Sequence, residues 1–219
     1  MDLFHNMTGP IARMSYVNRY SSIPVNRREN VAEHSWWVSF IALMVGTDLQ
    51  AQGHDVKFDT LLMRAIMHDT SECMSGDIIR SYKHSDPEIR EAMRNADDMA
   101  MAELTSKWGL LVGVALRHWY ATAKAEDLEG SIVAFADMAA VAFYCREEDR
   151  SGNRAIRRVL REMYETWFHA FADHSELGQY IHQMFPNGRF TDMLREEELP
   201  ATLMFPISGE ARPMMRHHG

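Results

Sequence analysis

Ser131-Ile132-Val133-Ala134-Phe135-Ala136-Asp137-Met138-Ala139-Ala140-Val141-Ala142-Phe143 carries one charge, at Asp137. Leu128, Ile132, Phe135, Ala136, Ala139 and Phe143 recur at intervals of three and four, the spacing of a helix face. The same spacing links Trp37, Ile41, Met44, Val45 and Leu49, and again Leu61, Leu62, Ala65 and Ile66. The chain has 7 prolines and 12 glycines, and between Pro24 and Pro186 only Pro87 interrupts. No stretch alternates cleanly with period two. These patterns predict an all-α helical bundle, with helices near 10–20, 31–50, 58–73, 87–106, 110–122, 127–148, 152–172 and 175–184. Asp86-Pro87-Glu88 reads as an N-cap, a proline in the first helical position and a first-turn acid.

A length of 219 residues fits one domain with its own core. The expected division is 1–185 for the domain and 186–219 for an irregular C-terminal tail rich in proline, glycine and charge. Two cysteines, Cys73 and Cys145, argue against a disulfide scaffold and suit a reducing cytosol. The N-terminal segment has no apolar core of a signal peptide, and the apolar run Val38–Val45 is too short to span a bilayer, so a cytoplasmic protein without a membrane partner is expected. With 23 Lys plus Arg against 31 Asp plus Glu, the formal net charge is -8, which argues against a nucleic-acid polymer as partner. A small anionic ligand remains compatible, because a metal or a few local cations reverse the field inside a pocket.

Three places carry metal-binding side chains on otherwise apolar helices. His34 begins one, His68-Asp69 ends the run from Leu61, and Asp137 lies inside the opening stretch. A carboxylate amid so many apolar neighbours demands a partner, either a hydrogen-bonding group in the helix packing or a cation. Two imidazoles and two carboxylates together suit a divalent ion with open positions. Adjacent His68 and Asp69 point about 100° apart on a helix, so both reach one metal only near a helix end. Glu72 follows them by four and three and shares their edge, where it would serve as general acid or base beside a metal-activated water. Glu126, Asp127 and Glu129 read as cap and first-turn acids of the Asp137 helix, although one of them could reach the site. His118-Trp119-Tyr120 could line a pocket, but aromatic residues at helical spacing usually belong to a core.

The ordered set His34, His68-Asp69, Asp137 resembles the signature of HD-domain metal-dependent phosphohydrolases. Arg19-Tyr20, Glu29-Asn30-Val31-Ala32-Glu33-His34-Ser35, Met67-His68-Asp69-Thr70-Ser71-Glu72, Gly76-Asp77 and Lys83 resemble its bacterial 5'-deoxynucleotidase branch, whose phage relatives include dATP triphosphohydrolases. The resemblance spans roughly residues 10 to 150. It implies that His34, His68, Asp69 and Asp137 hold a divalent ion of the zinc, cobalt, manganese or magnesium class. Glu72 would assist proton transfer, and Asp77 would support the water or the sugar. Arg19 and Lys83 would contact phosphate, and the Tyr20 ring would lie against the sugar and exclude a 2'-hydroxyl. Relatives more often carry tryptophan at the Tyr20 position, and prolines where this chain has Ile78-Ile79-Arg80, which adds Arg80 as a candidate phosphate ligand.

The implied substrate is a small deoxynucleotide. A 5'-deoxynucleotidase acting on monophosphates is the first expectation, and a triphosphohydrolase using the extra reach of Arg27, Arg28, Arg80 and Lys83 is the second. A non-catalytic regulatory domain would be expected to have lost a ligand or an auxiliary acid, and all are present. Relatives of this kind form dimers or larger assemblies, and Trp36-Trp37 offers an apolar contact for one.

Overall fold

Asn30 sets the first long helix. Its side chain accepts the Glu33 amide at 3.0 Å, and the Glu33 carboxylate accepts the Asn30 amide at 3.4 Å, a complete capping box. The computed structural model describes residues 9–83 and 86–185, with the Arg80 and Ser81 side chains excepted. Its helices are α1 (Val31–Ala51), α2 (Phe58–Met67), α3 (Glu72–Ser75), α4 (Arg80–Lys83), α5 (Pro87–Ser106), α6 (Leu110–Ala121), α7 (Leu128–Arg150), α8 (Arg157–Phe171) and α9 (Gly178–Met184). Among the described residues there is no strand, only one isolated antiparallel bridge, Asn18 to Asn30. The all-α expectation holds, and the expected tail 186–219 lies outside the described residues.

α7 is the axis of the bundle. Asp127 caps it by accepting the Gly130 amide at 2.8 Å, and α1, α2 and α8 pack around it. Ile132, Val133, Ala136 and Cys145 are buried there with Val38, Leu49 and Leu61 from α1 and α2. Phe135 packs tilted or edge-on among Trp167, Phe171 and Tyr180. By length and apolarity α7 would pass for a membrane span, longer than the run Val38–Val45, yet 67% of its apolar window is buried in the protein, as befits a core helix. A smaller apolar cluster, with Met14, Val31, Met67, Cys73, Met101 and Leu104, lies under α3 and α5. Cys73 and Cys145 are both buried and unlinked, in accord with the reading that excluded a disulfide scaffold.

Most departures from the expected helices fall around the chemistry-bearing residues. The helix expected at 10–20 is a 3-10 turn, Pro10–Ser15, followed by irregular chain to Asn30. Tyr20 within it has φ 58°, a left-handed conformation that costs a non-glycine residue energy and ends any helix. The helix expected at 58–73 stops at Met67, turns through His68–Ser71, and restarts as α3. The short α4 was not expected, and the helix expected from 152 begins as a 3-10 turn, Arg154–Ile156, before α8.

Candidate functional site

The break after Met67 lets neighbouring residues share one target. In the turn that follows, Thr70 and Glu72 amides bond back to the Met67 and Asp69 carbonyls at 3.1 and 3.0 Å. His68 and Asp69 thus leave the helix end together, as their adjacency requires. His34 arrives from the first turn of α1 and Asp137 from the middle of α7. One ligand atom from each of the four residues lies within 4.8 Å of all the others.

Hydrogen bonding shows that this set fits a cation. His68 Nδ1 donates to the Ala65 carbonyl at 2.7 Å, so Nε2 carries the lone pair. That nitrogen is buried, makes no hydrogen bond, and faces Asp69 Oδ2 at 3.1 Å. Two acceptors in contact repel unless positive charge lies among them. His34 Nε2 approaches Asp137 Oδ1 at 3.0 Å and Asp69 Oδ2 at 3.6 Å. Burial, aided by Arg19, pushes His34 down to about 4, which keeps it neutral as a ligand must be. Burial works to raise both aspartates. At Asp137 the Lys124 ammonium outweighs it, so that carboxyl stays ionised below the usual carboxylate range.

Two acids and two bases surround the set. Arg19 Nη1 meets Asp69 Oδ2 at 3.2 Å, and its Nε faces Glu29 Oε2 at 3.5 Å. Lys124 Nζ meets Asp137 Oδ2 at 2.5 Å. Burial, followed by the Asp69 charge, pushes Glu72 up to about 9, and its Oε2 is buried without a hydrogen-bond partner. Its surroundings therefore favour the protonated acid, placed to exchange a proton with a developing anion. Burial likewise lifts Glu29 to about 7.

A family of 5'-deoxynucleotidases described as YfbR-like matches residues 6–187 of this sequence. The chain belongs to that family. A 5'-deoxynucleotidase from Pasteurella multocida is 27% identical over 178 residues, covering 79% of this chain and 88% of its own. The Escherichia coli 5'-deoxynucleotidase YfbR is 28% identical over 148 residues, covering 65% and 72%. Among solved structures, an HD-domain phosphohydrolase from Listeria innocua superposes with a TM-score of 0.73 at 23% identity, over 88% of this chain and 90% of that one. The HD phosphohydrolase of cyanophage S-2L, solved with dA and one catalytic Zn2+ ion, gives 0.59 at 17% identity over 83% and 95%. These likenesses establish the HD-domain phosphohydrolase fold.

The remaining residues expected from the YfbR-like pattern fall in two groups. Tyr20 and Asp77 come together, the Tyr20 amide donating to Asp77 Oδ2 at 3.1 Å, while the Tyr20 ring stacks on Tyr144 at 4.6 Å and 5°. Lys83 lies farther out and pairs with Asp97 at 3.9 Å, although its charge is felt at Glu72. The Arg80 side chain lies outside the described residues. Asp127 pairs with Arg64 at 2.5 Å and Glu129 accepts the Lys57 amide at 2.9 Å, so these two acids secure the start of α7 as expected of caps. Tyr120 donates to Ser71 Oγ at 3.0 Å and packs with Trp119 on the smaller core.

Lys124 and Glu29 were missed as site residues. Glu29 stands inside a quoted motif, yet a lone acid next to a cap has no helix period to show that it is buried. Lys124 lies in the turn between α6 and α7, where sequence spacing says nothing of direction.

Proposed function

We propose that this chain hydrolyses the 5'-phosphoester of deoxynucleoside monophosphates, using a divalent ion held by His34, His68, Asp69 and Asp137. The confrontation of the His68 Nε2 lone pair with Asp69 Oδ2 carries the metal assignment. Membership of the YfbR-like family and the names of its relatives support the substrate class. When bound, such an ion supplies Lewis acidity toward phosphate and makes water a stronger acid near neutral pH.

The protein's own groups do the rest. Arg19, braced between Glu29 and Asp69, offers its guanidinium to a phosphate oxygen. Glu72, uncharged in its buried pocket, gives its proton to the departing 5'-oxygen and takes one back from water. Asp77 fixes the left-handed turn at Tyr20, and the Tyr20 ring, backed by Tyr144, limits space on the sugar side.

A longer phosphate chain would call on more cations, and two of the candidates are engaged elsewhere: Arg27 with Glu33 at 3.9 Å and Lys83 with Asp97 at 3.9 Å. That favours the monophosphate. Incubation with dAMP, AMP and dATP tests the reading: orthophosphate from dAMP is the expected main product, and triphosphate from dATP with dAMP untouched would overturn it.

We further assign the chain to the cytoplasm, which two unlinked buried cysteines support, and to a homodimer. The dimer reading rests on Trp36, Phe40, Met44 and Phe143, which are exposed along α1 and α7 and stack on each other or on Trp37 in part. Sedimentation equilibrium of wild type and Phe40→Glu tests it, with a concentration-dependent dimer expected only for the wild type.

A further inference from the structure

Asp137 turns its two oxygens to different partners. Oδ1 faces His34 inside the cluster at 3.0 Å, whereas Oδ2 accepts from Lys124 Nζ at 2.5 Å. On Asp69, Oδ2 takes Arg19 at 3.2 Å. Cations from unrelated parts of the chain therefore sit on both aspartates of the set. They differ in exposure. The Arg19 side chain is 12% exposed and also held by Glu29, while the Lys124 side chain is 42% exposed and reaches the site from the solvent side. A compact ammonium on a four-carbon stem exchanges one anionic partner for another more readily than a clamped guanidinium does.

The stem is exposed but its base is fixed. Asp127 is tied to Arg64 and to the Gly130 amide. Gly130 itself lies so close under the turn that a Cβ there would sit 2.1 Å from the Ala125 carbonyl oxygen. A lysine in a solvated linker has no need of such an anchor.

Building on the phosphomonoester reading above, we infer that Lys124 is a substrate-binding residue that takes a phosphate oxygen on the Asp137 side of the cluster, as Arg19 does on the Asp69 side. Charge accounting agrees. Asp69 and Asp137 match a divalent ion, and a phosphate monoester, with about two negative charges at pH 7, is matched by Arg19 and Lys124. The competing role is purely positional, with Lys124 doing no more than holding Asp137 in place.

Lys124→Met and Lys124→Arg separate the two roles through metal and phosphate binding, apart from turnover. Mn2+ affinity of the chelator-treated proteins is measured by calorimetry, and orthophosphate affinity of the Mn2+-loaded proteins by competition. Removing a positive charge beside a ligand should make Mn2+ bind several-fold tighter to Lys124→Met. Orthophosphate should bind about tenfold more weakly, the loss of one charge-assisted hydrogen bond. Lys124→Arg should restore phosphate binding. For dAMP, KM should rise in Lys124→Met by more than kcat falls. Weaker Mn2+ binding in Lys124→Met would mean that Lys124 only positions Asp137, and unchanged orthophosphate affinity would remove it from the phosphate site; either result overturns the proposal. A wild type that binds orthophosphate through Lys124 yet hydrolyses no deoxynucleotide would sink the substrate reading and leave this assignment standing.

Discussion

Helix α7 and the irregular stretch 16–30 deliver side chains to the same cluster by different physical means. α7 holds Asp137 by burying nearly everything around it: Ile132, Val133, Ala136 and Ala140 are each no more than 3% exposed. The stretch 16–30 has no helix or strand and is held by individual polar ties. Arg19 N donates to the Glu29 carbonyl at 2.9 Å, and Val31 N to Val17 at 3.0 Å. Glu148 accepts the amides of Asn26 and Arg27 at 2.7 and 2.8 Å, Asn153 donates to the Pro24 carbonyl at 2.8 Å, and the Tyr144 hydroxyl donates to Arg27. In the proposed reaction the apolar helix would supply a metal ligand that must not move. The tied loop supplies Arg19 and Tyr20, whose proposed tasks are to grip the phosphate and to fit the sugar.

The sharpest way to break this division is Asp137→Asn. It removes a ligand charge and leaves the packing of α7 intact. Deoxynucleotidase activity should fall by more than the roughly 10- to 100-fold that losing a partner behind a metal ligand costs. Thermal stability measured in chelator should fall only slightly, by the worth of the lost ion pair with the 42% exposed Lys124 side chain. A large loss of stability with metal affinity retained would mean that Asp137 serves the fold.

Phe135→Ala makes the opposite cut, two residues away on the same helix. It empties the space among Trp167, Phe171 and Tyr180 and should cost about 3–5 kcal/mol in denaturant unfolding. Metal affinity of the protein still folded should stay near wild type, because the cluster lies on another face of α7. A cost below about 1 kcal/mol would show that α7 is not the axis of the core.

These two regions were not equally legible in the sequence. The period of three and four from Leu128 to Phe143 and the single charge within it marked both the helix and its Asp137, because burial leaves a compositional trace. Likewise, the adjacency of His68 and Asp69 required a helix end, and the chain breaks after Met67. The stretch 16–30 leaves no such trace. Its partners lie 121 to 129 residues away in Glu148 and Asn153, and nothing in local spacing points to them. The helix expected at 10–20 failed on a similar ground, since Asp77, 57 residues away, accepts the Tyr20 amide and helps hold Tyr20 in a conformation that local propensity disfavours. Lys124 and Glu29 went unseen because they act through direction and burial, and a one-dimensional pattern records neither.

Glu148→Gln tests whether the ties of the loop depend on charge. The carboxylate accepts two backbone amides and the Asn153 side chain, so loss of its charge should cost about 1–3 kcal/mol at pH 7. Burial works to raise this carboxyl, but those donors outweigh it and hold it below its ordinary 4.5. A depressed acid stabilises the fold above its unfolded value and ceases to do so as the pH falls past its folded one. The stability difference between wild type and Glu148→Gln should therefore be full at pH 7 and shrink progressively below pH 4.5. Urea titrations at several pH values measure it, and a difference that grows on acidification would contradict the sign.

The smallest effect should come from the contact that joins the two regions. Tyr144, on α7, stacks on Tyr20 of the loop and also donates its hydroxyl to the Arg27 carbonyl. Tyr144→Phe loses the hydroxyl and keeps the stack, whereas Tyr144→Leu loses both. An aromatic pair adds about 0.5–1.5 kcal/mol beyond its buried area, so Tyr144→Leu should reduce the preference for dAMP over AMP by about two- to tenfold. Tyr144→Phe should keep that preference while losing some stability from the 16–30 stretch. If both variants lost the preference equally, the backbone tie at Arg27 would set the position of Tyr20, and the loop would be governed by its polar contacts alone. If only the leucine variant lost it, the apolar helix would reach through a single ring into the sugar side of the site. The loop's fit to substrate would then depend on the same rigidity that holds Asp137.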